Sequence, residues 1–263
     1  MTTKAKQAQS GRLLPIPIPW ERVPWWAIIL AAVGITVGWS VLTSEAYLEV
    51  IRFVIDGLQL TLQVTFIAYF IALIVGLIFG LMRVSENPIL YAASTLYVEV
   101  IRGIPLLVII LYVGFVITPN LRDATDGRIN LQGVPAAVLG IAICYAAYMA
   151  EIYRGGIESI ERGQMEAARS LGMNYIQAMR HVILPQAIRR VLPPLGNNLI
   201  AMLKDSSLMA VIALPDLLQM GRLYVSRTFR AFEGYNTVAL LYLVMTLVLS
   251  LVVRVIERRV AIE

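Results

Sequence analysis

The chain has 263 residues, 59% of them hydrophobic and 15% charged, with mean hydropathy +0.75 and net charge +5. A soluble domain carries roughly 25% charge, so this deficit excludes a water-soluble globule and points to lipid as the solvent. No dense basic run with interleaved aromatics occurs, which sets nucleic acid aside; the excess of Lys and Arg reads as the anchoring of cytoplasmic loops.

Residues 1–24 are polar and proline-rich, and no small-residue cleavage site follows the first apolar stretch. They predict a cytosolic N-terminal segment, not a cleavable signal peptide. Pro15, Pro17 and Pro19 favour an extended entry to the membrane. The first span is expected at 25–43, opened by Trp25 and Trp26 at headgroup level, with an outer loop to residue 56. The second, 57–82, is uncharged from Gly57 to Met82. The third, 91–117, carries Glu99 and Arg102 in its first half. The fourth covers 133–153. From Arg154 to about residue 194 the chain is charged and amphipathic, and no part of it can span. The fifth span, 194–214, is interrupted by Lys204 and Asp205. A polar stretch at 215–233 leads to the sixth span at 235–253, followed by Arg254, Arg258 and Arg259. The C-terminal residues 257–263 are expected in the cytosol.

This pattern predicts an all-α integral membrane protein with about six spans of roughly 20 residues each. Placing both termini inside puts most Lys and Arg, from Lys4 to Arg259, on the cytoplasmic face. Outside lie Arg52, Arg122, Arg128, Arg222, Arg227 and Arg230, and Arg102 and Lys204 fall within spans. That bias is the usual one.

The chemistry available is narrow. Cys144 is the single cysteine, in an apolar stretch, and reads as a small buried hydrophobe. His181 is the single histidine, in a basic segment, and reads as a solvated face residue. No metal cluster and no Ser-His-Asp constellation can be assembled. The lysines are Lys4, Lys6 and Lys204, and none follows a glycine, so no phosphate-binding P-loop is present.

The 154–194 excursion is the most informative segment. Residues 157–171 can form a short helix with Ala167, Ala168 and Leu171 on one side. Gly172 is placed to end it in the left-handed conformation. Residues 174–182 can form a second helix, stopped by Pro185. Periodicity alone fits an amphipathic helix pair on the bilayer surface equally well. The sequence Glu166-Ala167-Ala168, then Gly172, then Val182 and Leu184-Pro185, resembles the EAA loop of ABC-importer permeases, with Val182 where Ile is usual. The stretch Tyr97 to Leu107 is similar to polar-amino-acid permeases. So are Leu203-Lys204-Asp205-Ser206-Ser207-Leu208 and Gly57 with Thr61-Leu62. The resemblance covers about 57–256 and implies a five-helix permease core of the type I importer kind. The span at 25–43 is then an N-terminal addition.

The resemblance implies that the chain binds no ATP and hydrolyses none. ATP and Mg would sit on a separate ABC ATPase dimer, which grips the coupling helices through Glu166, Ala167, Ala168, Gly172, Val182, Leu184 and Pro185. Closure of that dimer would rock the spans between inward-open and outward-open states. It further implies a second permease subunit, identical or related, an extracytoplasmic solute-binding protein docking on 118–132 and 215–233, and a bacterial inner-membrane location.

Ionisable groups at membrane depth are costly and mark pathways or interior pairs. Lys204, Asp205, Ser206 and Ser207 suit the carboxylate and ammonium of an amino acid, or else Lys204 and Asp205 pair with Glu99 and Arg102 to hold spans together. Glu99 and Arg102 share a helix face and can pair with each other. Gly103 and Pro105 loosen the helix beside them and make a candidate gate.

Overall fold

The structure, a computed structural model, describes residues 25–262. The expected cytosolic segment 1–24 lies outside the described residues. Among those described, every regular element is helical. Two compact units are distinguished: residues up to Thr43, and Ser44–Glu263.

The first unit contributes α1 (Trp25–Thr43), 19 residues with no charged side chain. Its hydroxyls bond back into its own helix: Thr36 to the Ala32 carbonyl at 2.8 Å, Ser40 to Thr36 at 3.0 Å, Thr43 to Trp39 at 2.8 Å. A polar side chain satisfied within its own helix suits lipid, where no water is available to it.

The second unit is built on α2 (Glu45–Arg83), a single helix of 39 residues, or ~58 Å at 1.5 Å per residue. The outer loop expected before residue 57 is therefore not a loop. Tyr47, Val50 and Val54 recur at helical spacing and are buried, the two valines in a cluster with Leu217, Tyr224 and Val238, so the charged start of α2 has a packed helix face.

The central contact pairs α2 with α6 (Val134–Glu158). Ala68, Ala72, Gly76 and Gly80 on α2 and Ala142, Ala146 and Ala150 on α6 repeat every four residues, and all are buried. Small residues at this spacing let membrane helices approach closely. A Cβ on Gly76 would lie 2.7 Å from the Met149 Cβ, and one on Gly80 equally close to the Tyr153 Cβ. Val64, Ile141, Tyr145, Met149, Met202 and Met209 complete this core.

The expected third span is divided. α3 (Pro88–Gly103) starts at Asn87, whose side chain accepts from the Ile89 amide at 2.9 Å. It ends at an extended pair, Ile104 and Pro105. Proline lacks an amide donor and disfavours helix at the residue before it, so the break falls there. Helix resumes as α4 (Leu106–Tyr112), passes a π-helical turn at Val113–Ile117, and ends as α5 (Thr118–Ala124). The apolar stretch long enough to cross is Leu106–Ala124, so Glu99 and Arg102 sit on the helix before it.

After α6 come α7 (Arg162–Ser170), α8 (Tyr175–Ala178), a π-helical turn at Met179–Ile183, and α9 (Leu184–Asp205). Pro185 does not stop a helix: it lies within an unbroken helical run from Tyr175 to Ile212, directly after the π-helical turn at Met179–Ile183, where the widened turn accommodates its missing amide. A 3-10 helix (Ser206–Ile212) follows α9, then α10 (Leu217–Thr228), bent by 50° from the preceding helical run, and α11 (Ala231–Ile262). The segment 215–233, expected as polar loop, is mostly helix. Four helices in the second unit are long and apolar enough to cross, or five if the bent pair is one broken span.

Candidate functional site

Two candidate sites lie at the two ends of α9. The first is the folded excursion between α6 and α9. Ser170 Oγ bonds back to the Glu166 carbonyl at 2.9 Å, and the backbone then closes α7. Gly172 takes φ +85°, its amide donates to the Arg169 carbonyl at 3.0 Å, and the Met173 amide donates to Ala168 at 3.2 Å. This crossed pair caps the orphan carbonyls at a helix end and requires the left-handed residue that glycine supplies. Asn174 and Gln177 then form a reciprocal capping box at 2.9 Å each that starts α8.

Ala168 and Ala178 are buried at the inside of the bend, whereas Glu166 and Ala167 are exposed. Ile160, Ile183 and Ala187, with Met165, Met179 and Val182 around them, form a small core at the base. The outer rim is apolar and open: Leu171 is 81% exposed, Ile176 75% and Tyr175 60%. Leu184 and Pro185 are exposed at the start of α9. Exposed aliphatic and aromatic side chains flanked by Glu161, Glu166, Arg169 and Arg180 make a rim suited to receiving a protein partner.

The second site lies where α9 ends. Asp205 accepts a 2.8 Å hydrogen bond from Tyr145 Oη on α6. Lys204 points elsewhere, as adjacent residues on a helix must. It has no ion pair among the described residues and lines a cavity of about 350 Å³ with Ser207, Tyr242, Leu243 and Thr246. Ser207 Oγ donates to the Lys204 carbonyl at 2.8 Å, and buried Ser206 donates to Leu203 at 2.8 Å, so both hydroxyls bond back one turn where α9 tightens into the 3-10 helix.

A polar cluster centred on Asp216 adjoins this cavity through Tyr242. Asp216 is fully buried and caps α10 by accepting from the Gln219 amide at 3.0 Å and the Leu218 amide at 3.2 Å. Tyr242, which lines the cavity, donates to the same carboxylate at 3.4 Å. Thr61 Oγ1 accepts from the Leu217 amide at 3.1 Å. A Cβ on Gly57 would lie 2.7 Å from the Asp216 carbonyl oxygen, so Gly57 and Thr61 together form the seat for this turn. Asp216-Leu217-Leu218-Gln219 carries a helix-start signal legible in the sequence.

The charged residues expected to act together are separated. Glu99 and Arg102 do not pair with each other, and neither meets Lys204 or Asp205. Glu99 pairs with Arg83 at 3.4 Å, because Arg83, only 10% exposed, reaches it from the end of α2. Arg102 stacks over the Tyr148 ring at 5.7 Å. Gly103 and Pro105 flank the break between α3 and α4, beside an apolar cavity of about 320 Å³ lined by Ile101, Ile104, Val108 and Ile143, among others.

With this geometry in hand, comparison with known proteins is specific. Residues 60–262 match the family described as binding-protein-dependent transport system inner membrane component. The probable glutamine ABC transporter permease GlnM of Bacillus subtilis is 44% identical over 181 residues, 68% of this chain and 80% of that protein. The glutamine transport system permease GlnP of Escherichia coli K12 is 41% identical over 169 residues, 64% of this chain and 75% of that protein. The crystal structure of an amino acid ABC transporter with histidines superposes with TM-score 0.72 at 42% identity, covering 81% of this chain and 96% of that one.

Proposed function

The chain belongs to the family of binding-protein-dependent transport system inner membrane components, and on that premise we propose that it forms the translocation pathway of an ATP-driven importer of polar amino acids, glutamine among them. It is the multi-pass permease component of the transporter, not its ATPase. An ATPase and a solute-binding protein are the general partners of such a component. The observation that carries the reading is the closed bend at Gly172, which presents an open apolar rim directly between the spans α6 and α9.

The mechanism follows from connectivity. α6 runs into the bend and α9 runs out of it, so any displacement of α7 and α8 pulls on both. An ATPase dimer, holding ATP and Mg, would seat the rim formed around Glu166, Ala167, Leu171 and Ile176, and its closure would shift α6 against α2. Lys204, with Ser207 and Tyr242, lines the cavity where α9 tightens into a 3-10 helix, shortly before the break that follows Ile212, and supplies a cation for a carboxylate. Asp205, held by Tyr145, supplies the opposite charge near by. Broken helices at membrane depth are a recurrent way to present such groups.

The orientation proposed puts both termini and the bend on the cytoplasmic side. What supports the side is the excess of Lys and Arg there, and the packing of α9 against the last turns of α11, with a Cβ on Gly196 2.4 Å from Val253, supports placing the C-terminus at the same end as the bend. A second permease subunit, identical or related, would complete the pathway. The test is competition. Cells producing the whole complex should take up labelled glutamine, and unlabelled polar amino acids should displace it. Undiminished uptake in the presence of every polar amino acid would overturn the substrate assignment.

A further inference from the structure

A cluster of three arginines and three glutamates, outside the cavity at Lys204, joins α2, α3 and α6 just before the bend. Its centre is Glu151. This carboxylate accepts from Arg83 Nη1 of α2 at 2.8 Å and, on its other side, from Arg154. Arg83 also reaches Glu99 of α3 at 3.4 Å, and Arg154 also pairs with Glu158 in the last turn of α6. One turn before Glu151, Tyr148 offers its ring to Arg102 of α3. The chain then leaves α6, and the Ser159 carbonyl accepts from Arg190 of α9. Residues 148, 151, 154 and 158 lie on one face of α6.

The arrangement gives α6 a distinct task. Its last three turns hold α3 through Arg102 and through the Arg83 bridge. Its first turns hold α4, where a Cβ on Gly140 would lie 3.2 Å from the Ile110 Cα. Between α3 and α4 lies the extended Ile104–Pro105 hinge, with no helical hydrogen bond across it. Arg83 is only 10% exposed and its Nε has no partner, so it depends on its two carboxylates. Removing Glu151, a partner itself 26% exposed, leaves this largely buried cation with a charge that must find another position.

We propose that Glu151 is the positioning residue that carries displacement of the bend into the α3–α4 hinge, by locking Arg83, and with it α3, to the part of α6 that enters the bend. Neither Glu151 nor Arg83 touches the Lys204 cavity, so the role is transmission and not contact with solute. The inference rests on the importer reading above.

The experiment uses the complete transporter, with its ATPase and binding protein, in proteoliposomes, and reads solute taken up per ATP hydrolysed. For Glu151→Gln, which keeps the shape and loses the charge, binding-protein-stimulated hydrolysis is expected to persist while that ratio falls about tenfold. Glu151→Asp is expected to recover part of the ratio. Glu99→Gln, at a position 63% exposed and so tolerant of change, is expected to lower the ratio in the same direction, and it decides the matter if the Glu151→Gln complex does not assemble. An unchanged ratio in the variant that assembles overturns the proposal. So does a loss of uptake that tracks a lower thermal midpoint at constant ratio, because that is the mark of a structural role only. Wild-type uptake that ignores ATP sinks the importer reading itself, a result distinct from either.

Discussion

Tyr145 on α6 donates a 2.8 Å hydrogen bond to Asp205 at the last residue of α9, and the two helices are the ones that enter and leave the coupling bend. The bond therefore joins the candidate pathway to the elements that would move. Asp205 is only partly exposed, so water replaces this donor incompletely. The variant Tyr145→Phe leaves Asp205 short of one donor, a loss of about 1–3 kcal/mol. Initial uptake should slow severalfold, while binding of the ATPase to the bend is unchanged in a pull-down. Equal uptake by Tyr145→Phe and wild type would remove Asp205 from the pathway.

Gly172 makes a prediction about backbone alone. A Cβ there meets nothing within 4 Å, so space is not the constraint; φ +85° is. Gly172→Val should weaken ATPase association, since a β-branched residue resists the left-handed region by roughly 1–2 kcal/mol. Gly172→Asn, which tolerates that region, should retain most of it. The check is affinity for the detergent-solubilised ATPase, and identical values for Val and Asn would contradict the capping account.

Gly76 is constrained by space instead. Its missing Cβ would sit 2.7 Å from Met149 Cβ and 3.0 Å from the Ala146 carbonyl oxygen. Gly76→Leu should part α2 from α6 and cost about 1–3 kcal/mol, visible as a lower thermal midpoint in detergent. Gly155→Leu, where a Cβ meets nothing within 4 Å, should not shift it.

Lys204 should separate function from stability. It has no ion pair among the described residues and is exposed to the cavity. Lys204→Met should stay within about 0.5 kcal/mol of wild-type stability and yet lose uptake. Asp216→Ala is the counterpart, because it removes two amide caps and the Tyr242 contact at once. It should lower the thermal midpoint even without solute.

The apolar runs and the bend were legible because each rests on local chemistry: length without charge for the spans, a glycine at a fixed offset from Glu166-Ala167-Ala168 for the cap. The partners of the charged residues were not. Glu99 and Arg102 share a helix face, which favours pairing them, but Arg83 lies 16 residues before Glu99 and arrives on a neighbouring helix. Nor does a proline declare its position. Pro105 breaks a helix, whereas Pro185, Pro193 and Pro194 sit inside one, because neighbouring packing decides whether a lost hydrogen bond is tolerated. Glu45 to Asp56 read as loop by charge, and only Tyr47, Val50 and Val54 at helical spacing showed the buried face.

The most direct measurement is uptake of labelled glutamine into proteoliposomes that contain this chain and its binding protein, with and without the ATPase. The account predicts accumulation that requires both the ATPase and hydrolysable ATP, and none when either is withheld. Accumulation at the same rate without the ATPase would contradict it.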